Sequence, residues 1–431
     1  YSMVNHFDDY ADTVTSTDSA SFIDSVIVQS KTGRIFLLAD VQPSECGYLQ
    51  CKTGTGYTEI NGKKHLLLTT GKNSDKLSTF EYYVGNFDGE FAPVFKRTDS
   101  TATEYSIDRE FRLYKNGEAI YTAQKGAEGV NVQQNIFYSS ADLKCYRTTY
   151  LWLRYSDDNG KTWSHPAILS EQVKKDSESF LGVGPGRGMV INHNGKERIL
   201  FCVYDNNGLF KDPIFENASV IYSDDNGITW HRSKKIKIKS GLQKTSESQL
   251  VKIEGKNYKA LRIYARNLSN YIAYADSIDG GHTWTTFRAD KALEGTKNCM
   301  VSLMETSRKI YGKQVILCSA GGNLKARADG VLRVGLTQDN GDVEWISKYH
   351  LTQGFYGYSC LTELADGNFA VFYEDEAAHL KYTIFSVLDD GKINEVNNDN
   401  LDFKHDTSPK TLRSIKMKKI FAKIKFAFGL I

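Results

Sequence analysis

The pattern S-x-D-x-G-x-T-W occurs three times in this chain: SDDNGKTW from Ser156 to Trp163, SDDNGITW from Ser223 to Trp230 and SIDGGHTW from Ser277 to Trp284. One copy is a turn. Three copies are an internal repeat, and a repeat constrains architecture before any single residue does. Each copy follows β-forming residues: Tyr150-Leu151-Trp152-Leu153, Val220-Ile221-Tyr222 and Tyr271-Ile272-Ala273-Tyr274. The Asp carboxylate suits a tight turn because it accepts bonds from turn N–H groups, and Gly supplies positive φ. The Trp then returns on the next strand and covers the turn. Asp158, Asp225 and Asp279 recur at intervals of about 55 to 70 residues, a spacing that suits one four-stranded sheet of a β-propeller. A weaker copy, Thr337-Gln338-Asp339-Asn340-Gly341 with Trp345, continues the series. Taken alone, each box holds a turn and does no chemistry.

From 146 to 385, strand-like runs and turn residues alternate every 8–12 residues or so, the all-β pattern. Residues 45–145 contain no box and read as a β-rich, irregular insertion in the repeat array. Residues 1–21 are polar. The expected organisation is therefore a polar N-terminal segment 1–21, a β-propeller 22–395 with its first blade incomplete, and a tail 396–431. Within the tail, in residues 410–431, Leu412, Ile415, Ile420, Ile424, Phe428 and Ile431 recur at helical spacing among six Lys and one Arg. Such a basic amphipathic helix suits an anionic membrane surface, a place on the propeller, or the start of a further module.

A formal charge of +2 over 431 residues points to neither nucleic acid nor membrane as a bulk partner. The seven cysteines are scattered and form no C-x-x-C pair, so zinc and redox motifs are absent. They read as buried thiols, with at most a bridge between Cys46 and Cys51. No H-E-x-x-H or paired histidines indicate a metal, and no cofactor is implied. Phe180-Leu181-Gly182-Val183-Gly184-Pro185-Gly186-Arg187-Gly188 fails the dinucleotide register, because Pro185 follows Gly184 and no helical pattern comes after. It reads as a tight loop between strands. The chain opens without Met and is read as a fragment, so the lack of an export signal carries little weight.

Arg266 ends the strand-like Leu261-Arg262-Ile263-Tyr264-Ala265, and Arg327 precedes Ala328-Asp329-Gly330. Singly, each is most often a solvated surface residue, and Glu247 and Tyr358 are equally ambiguous. Their order along a repeat-built β-chain is what carries meaning. The stretches FIDSVIVQSKTGRIFLLAD (22–40), YLWLRYSDDNGKTWSHP (150–166), FLGVGPGRG (180–188), TSESQLV (245–251), IYARN (263–267), ARADGVLRVGL (326–336) and YGYSCLTEL (356–364) resemble the catalytic domain of the bacterial sialidases, or exo-α-neuraminidases. The likeness is to the secreted Gram-positive type that includes intramolecular trans-sialidases.

The resemblance implies a six-bladed β-propeller with Asp-box repeats and a glycosidase that releases terminal α-linked sialic acid with retention. It implies Tyr358 as nucleophile, Glu247 as the glutamate taking its proton, and Arg266 and Arg327 as two of three arginines that clamp the sugar carboxylate. Asp24 and Tyr204 match substrate-contacting residues, and Glu374 matches a Tyr-Glu pair placed behind the arginines. Sialidases with a Tyr nucleophile depart from the usual pair of carboxylates. The partners implied are sialylated glycans of glycoproteins and glycolipids, which puts the parent protein outside the cell or at its surface. The scattered cysteines argue mildly against an oxidising exterior.

Two family elements have no match: an Arg-Ile-Pro motif with the first arginine, and a loop aspartate that serves as acid/base. The segment of likeness begins near Phe22, which the family places after both. The expectation is an N-terminally shortened record of a complete enzyme, weakly active or inactive alone. The alternatives are a degenerate sialoglycan-binding lectin or adhesin, and a propeller scaffold for protein partners.

Overall fold

The computed structural model describes residues 20–71, 76–123, 131–206, 216–376 and 379–396. Most of the polar N-terminal segment and nearly all of the basic tail, including its amphipathic stretch 410–431, lie outside the described residues. Strands dominate, and the α-helix among the described residues is one turn, Ser170–Val173. The chain divides into two compact units. One comprises Tyr1–Ser25, Phe36–Val183 and Asp205–Asp212, and the other comprises Val26–Ile35, Gly184–Tyr204 and Pro213–Ile431.

In the first unit, residues 57–145 build an eight-stranded sheet. Lys63–Thr69 pairs with Tyr57–Ile60, Tyr82–Val84 and Lys144–Cys145, and Phe91–Lys96, Ala102–Asp108, Leu113–Lys115 and Glu118–Ala119 follow in a meander. The strand Tyr150–Ser156, expected from its aromatic run, carries Trp152 into the core of this unit. Its ring meets Phe22, Phe111 and Phe137 at centroid distances of 5.4, 5.3 and 5.7 Å. Aromatic edges and faces attract at these separations, so the cluster adds to plain burial.

The second unit contains four runs of four sequential strands, three of which are four-stranded antiparallel sheets and the first of which belongs to a five-stranded sheet. The first sheet holds Met189–His193, Lys196–Asn206, Glu216–Ser223 and His231–Arg232. The second holds Thr245–Glu254, Lys259–Asn267, Tyr271–Ser277 and Arg288–Glu294. The third holds Ser302–Ile310, Lys313–Gly321, Gly330–Thr337 and Val343–His350. The fourth holds Ser359–Glu363, Phe369–Glu376, His379–Val387 and Ile393–Glu395. Lys313–Gly321 is buried along almost its whole length, whereas the last strand of its sheet, Val343–His350, alternates in exposure. A middle strand buried on both faces needs a neighbouring sheet on each side. Apolar clusters supply that packing: Val251, Ile253 and Tyr264 of the second sheet meet Leu303, Ile316 and Cys318 of the third.

The three boxes are built alike. In the first unit, Asp158 Oδ1 accepts from the Ser156 hydroxyl at 2.8 Å and the Thr162 N–H at 2.8 Å, while Oδ2 accepts from the Thr162 hydroxyl at 2.7 Å. In the second unit, Asp225 and Asp279 repeat this with Ser223 and Thr229, and with Ser277 and Thr283. Two successive left-handed residues turn the chain: Asn159-Gly160, Asn226-Gly227 and Gly280-Gly281. Such backbone tolerates Asn and favours Gly, which accounts for the sequence at these positions. The Trp230 and Trp284 indoles cover their turns by donating to the carbonyls of Gly227 and Gly281. The weaker copy differs. Residue 343, four beyond Asp339, is Val rather than Thr, and the segment closes as a plain hairpin with the Gln338 N–H on the Asp342 carbonyl. Trp345 donates to Asp290 Oδ2 at 3.3 Å instead of to its own turn.

Candidate active site

The second unit gathers Glu247, Arg266, Arg327 and Tyr358 from three of its sheets. Glu247 lies in a β-bulge. Thr245 pairs with Asn267 and Ser248 pairs with Ala265, so Ser246 and Glu247 together stand opposite Arg266. A bulge re-aims side chains and often borders a functional site. Here it turns the buried Glu247 carboxylate toward the guanidinium across the ladder, and Arg266 donates to its Oε2 at 2.7 Å. The same Arg266 nitrogen donates to the Tyr358 hydroxyl at 3.1 Å. That hydroxyl donates in turn to Glu247 Oε1. The carboxylate, guanidinium and phenol form a closed triangle of charge-assisted hydrogen bonds. Burial opposes the Arg266 charge, but the Glu247 carboxylate and the Tyr358 oxygen outweigh it and hold its pKa above the usual arginine value.

Tyr358 precedes the strand Ser359–Glu363, and its backbone is fixed from both directions. Its N–H donates to Glu374 Oε2 at 3.0 Å, and its carbonyl accepts from the Glu374 N–H at 3.0 Å. The loop carrying Arg327 is tied to the same segment, since the Tyr356 N–H donates to the Arg327 carbonyl at 3.0 Å and Asp329 exchanges bonds with Gly354. The Arg327 guanidinium carbon sits 5.4 Å from the centre of the Tyr358 ring. Among the described residues it has no ion-pair partner. A planar cation beside a phenol, with its charge unmatched, suits an incoming carboxylate.

The other two expected residues are placed as follows. Tyr204 is buried on Lys196–Asn206 in the second unit. Asp24 belongs to the first unit, on Ser21–Gln29, with a φ of +50° that a non-glycine residue seldom adopts. Glu374, matched to a position behind the arginines, acts on the backbone of the tyrosine. Two neighbours went unread in the sequence. Asn298, itself at φ +57°, accepts from Arg266 Nε at 3.1 Å and anchors its own N–H on the Asn267 carbonyl. Cys299 lies beside it, and burial pushes its thiol up although Arg327 and Arg266 pull it down. The segment Thr296-Lys297-Asn298-Cys299 has no motif, and its role is visible only once Arg266 is in place. Among the described residues no cluster of three or more His, Cys, Asp or Glu is arranged to hold a metal ion.

The glycine-rich loop is closely packed, as its composition suggested. A Cβ on Gly184 would come within 2.7 Å of the Ser248 carbonyl oxygen, so only glycine lets this loop lie against the strand that carries Glu247.

Residues 130–371 match the family of BNR repeat-like domains. An anhydrosialidase of the leech Macrobdella decora is 32% identical over 382 residues, covering 83% of this chain and 47% of that protein. This chain belongs to the BNR-repeat sialidase family. Among solved members, a leech intramolecular trans-sialidase complexed with 2,7-anhydro-Neu5Ac matches at 30% identity and a TM-score of 0.76, over 90% of this chain and 59% of that one. The Ruminococcus gnavus intramolecular trans-sialidase, in complex with oseltamivir carboxylate, matches at 31% identity and a TM-score of 0.72, over 93% and 81%. The sialidase fold here is an all-β propeller. The chain spans about half the length of the curated sialidases it matches.

Proposed function

We propose that this chain carries the substrate clamp and nucleophile of an exo-α-sialidase, a glycosidase that releases terminal sialic acid through Tyr358 within a six-bladed, Asp-box propeller. The observation that carries the reading is the triangle of Tyr358, Glu247 and Arg266, with the Arg327 guanidinium, unpaired among the described residues, over the phenol ring. Sialic acid bears a carboxylate on its anomeric carbon. A carboxylate nucleophile would be repelled by it, whereas a neutral phenol is not. A phenol has a pKa near 10, so it needs a base. Glu247 already accepts the phenolic hydrogen, and Arg266 donates to the oxygen that would become phenolate. Arg327 and Arg266 together are suited to grip the sugar carboxylate.

As the glycosidic bond to the anomeric carbon breaks, the positive charge that builds there is met by the Tyr358 oxygen. That oxygen forms a bond to the carbon while its proton passes to Glu247. The departing alcohol needs a proton of its own. The sequence offers no match to the family's loop aspartate or to its Arg-Ile-Pro arginine, and general acid catalysis is typically worth about 10²–10⁴-fold. Slow turnover by this polypeptide is therefore expected. The likeness to an anhydrosialidase and to two intramolecular trans-sialidases favours an internal sugar hydroxyl over water as the group that releases Tyr358. The substrates are sialylated glycans, which places the parent protein outside the cell or at its surface.

The test is prolonged incubation of concentrated protein with 3′-sialyllactose, followed by NMR of the sugar products and a parallel binding titration. An anhydro-sialic acid is the expected product, and free sialic acid would move the reading to simple hydrolysis. Binding without product would favour the lectin reading, and neither binding nor product would overturn both.

A further inference from the structure

The loop Cys46-Gly47-Tyr48-Leu49-Gln50-Cys51, in the first unit, is folded back on itself. The N–H groups of Gln50 and Cys51 both donate to the Gly47 carbonyl, at 2.9 and 3.2 Å. The chain is fixed on either side, by the Ser44 N–H on the Phe137 carbonyl and the Lys52 N–H on the Arg147 carbonyl. This brings the two sulfurs to 3.1 Å, both buried, with 4% and 1% of each residue exposed. The other cysteines have different neighbours. Cys202 meets the Ser248 hydroxyl, Cys299 the Gly357 carbonyl and Cys145 the Tyr150 hydroxyl.

We propose that Cys46 and Cys51 are an oxidation site, closed to an intramolecular disulfide by a small-molecule disulfide of the glutathione class. A covalent S–S bond is about 2.05 Å long, so closure requires roughly 1 Å of approach. Chain already pinned at both ends loses little further freedom in making that approach. The chemistry of the surroundings favours reaction at Cys46. Its hydrogen bond with Cys51 lowers its pKa against the opposing effect of burial, and Arg147, Lys174 and Lys52 add positive charge. Lys174 is itself buried, with its ammonium on the Thr148 hydroxyl and the carbonyls of Thr149 and Ser179; burial brings its pKa down to about 8. Thiolates form where cations stand nearby, and the thiolate is the attacking species.

The steps balance. Cys46 thiolate attacks one sulfur of the oxidant, whose S–S bond breaks and releases one thiolate, leaving a mixed disulfide on Cys46. The released thiolate takes the Cys51 proton. Cys51 thiolate then attacks Cys46 sulfur and expels the second small thiolate, which takes up the proton that Cys46 gave up on ionising. Two protein thiols are oxidised, and one small disulfide is reduced to two thiols.

The bridge would clamp Tyr48, which lies between the two cysteines. Its ring packs edge-on to Phe180 at 4.8 Å, and its hydroxyl accepts from Asn206 Nδ2 at 3.1 Å. A closed loop therefore fixes a side chain that braces the strand Phe180–Val183.

The experiment folds the full chain in a mixture of reduced and oxidised glutathione, with fully reduced protein in parallel. Remaining thiols are alkylated in denaturant and counted by intact mass and peptide mapping. The expected result is two fewer alkylated cysteines than in the reduced control, with the bridge inside the peptide holding residues 46–51. All seven cysteines alkylated after oxidation, a bridge that uses other cysteines, or glutathione retained on Cys46 or Cys51 would each overturn the proposal.

Discussion

Glu247 faces Arg266 across a β-bulge, with carboxylate and guanidinium 2.7 Å apart and side-chain exposures of 4% and 14%. A carboxylate this buried costs several kcal/mol unless it is paired and hydrogen-bonded. Arg266 and the Tyr358 hydroxyl between them meet that need. The same two bonds would let Glu247 accept a proton without moving, since the donor is already in contact.

Replacing Glu247 with Gln keeps the shape and removes the charge. The phenol then has no base, so turnover should fall by about 10²–10⁴-fold while sialoside affinity changes little. Steady-state release assays together with a binding titration check this. A variant with unchanged turnover would remove Glu247 from the chemistry.

Arg327 is the cleaner of the two arginines to test, because among the described residues its charge is matched by no carboxylate. A hydrogen bond to a charged group is worth about 1.5–3 kcal/mol, so Arg327→Ala should weaken sialoside binding by roughly 10- to 150-fold. Calorimetric titration with 3′-sialyllactose measures it. Affinity equal to that of the unaltered protein would favour a propeller scaffold over a sugar site.

Stability rests on a different pair. Arg262 and Asp276 are register partners in the second sheet, joined bidentately at 2.6 and 2.9 Å with 3% and 2% of their side chains exposed. Tyr258 donates to Asp276, and the Arg262 guanidinium lies 4.5 Å from the Tyr274 ring centre. Arg262→Ala leaves the buried carboxylate with the longer 3.8 Å contact to Arg288 as its ion pair among the described residues, and should cost up to about 3–5 kcal/mol, read as a lowered denaturation midpoint. Arg262→Ala with Asp276→Ala should cost less than Arg262→Ala alone.

The three box aspartates set an acid limit. The Thr162 N–H and hydroxyl hold Asp158 down at about 2. Burial works to raise Asp225 and Asp279, but the bonds from Thr229 and Thr283 outweigh it and both stay below the ordinary value. A depressed carboxylate pKa contributes stability that is present above the unfolded value, near 3.9, and is lost as the pH falls through the folded value. Stability should therefore decline between about pH 4 and pH 2. Asp158→Asn should flatten that decline, as measured by denaturant midpoints across the range.

Much of this was legible in the sequence, and the parts that were not share a cause. The boxes announce their turns because each is a local device: Ser, Asp, Gly and Thr meet within one segment. Thr337–Gly341 looked like a fourth box, but Val343 cannot close the carboxylate as Thr does, and the segment became a hairpin. Glu247, Arg266, Arg327 and Tyr358 could be named from their order and their flanking motifs. The bulge that aims Glu247 could not, because register belongs to two strands at once. Asn298 was missed for the same reason, since its partner Arg266 is on another segment. Residues 57–145 read as β-rich, but their strands run only two to seven residues, too short to fix which strand pairs with which.

The central claim is that the Tyr358 oxygen bonds to the anomeric carbon of sialic acid. A fluorinated sialosyl fluoride, which forms the glycosyl–enzyme bond but slows its breakdown, tests it directly when the trapped protein is digested and mapped by mass spectrometry. A sugar adduct on the peptide containing Tyr358, absent in Tyr358→Phe, is the result this account predicts. An adduct on Glu247 or elsewhere, or sialoside turnover with no adduct at Tyr358, would contradict it.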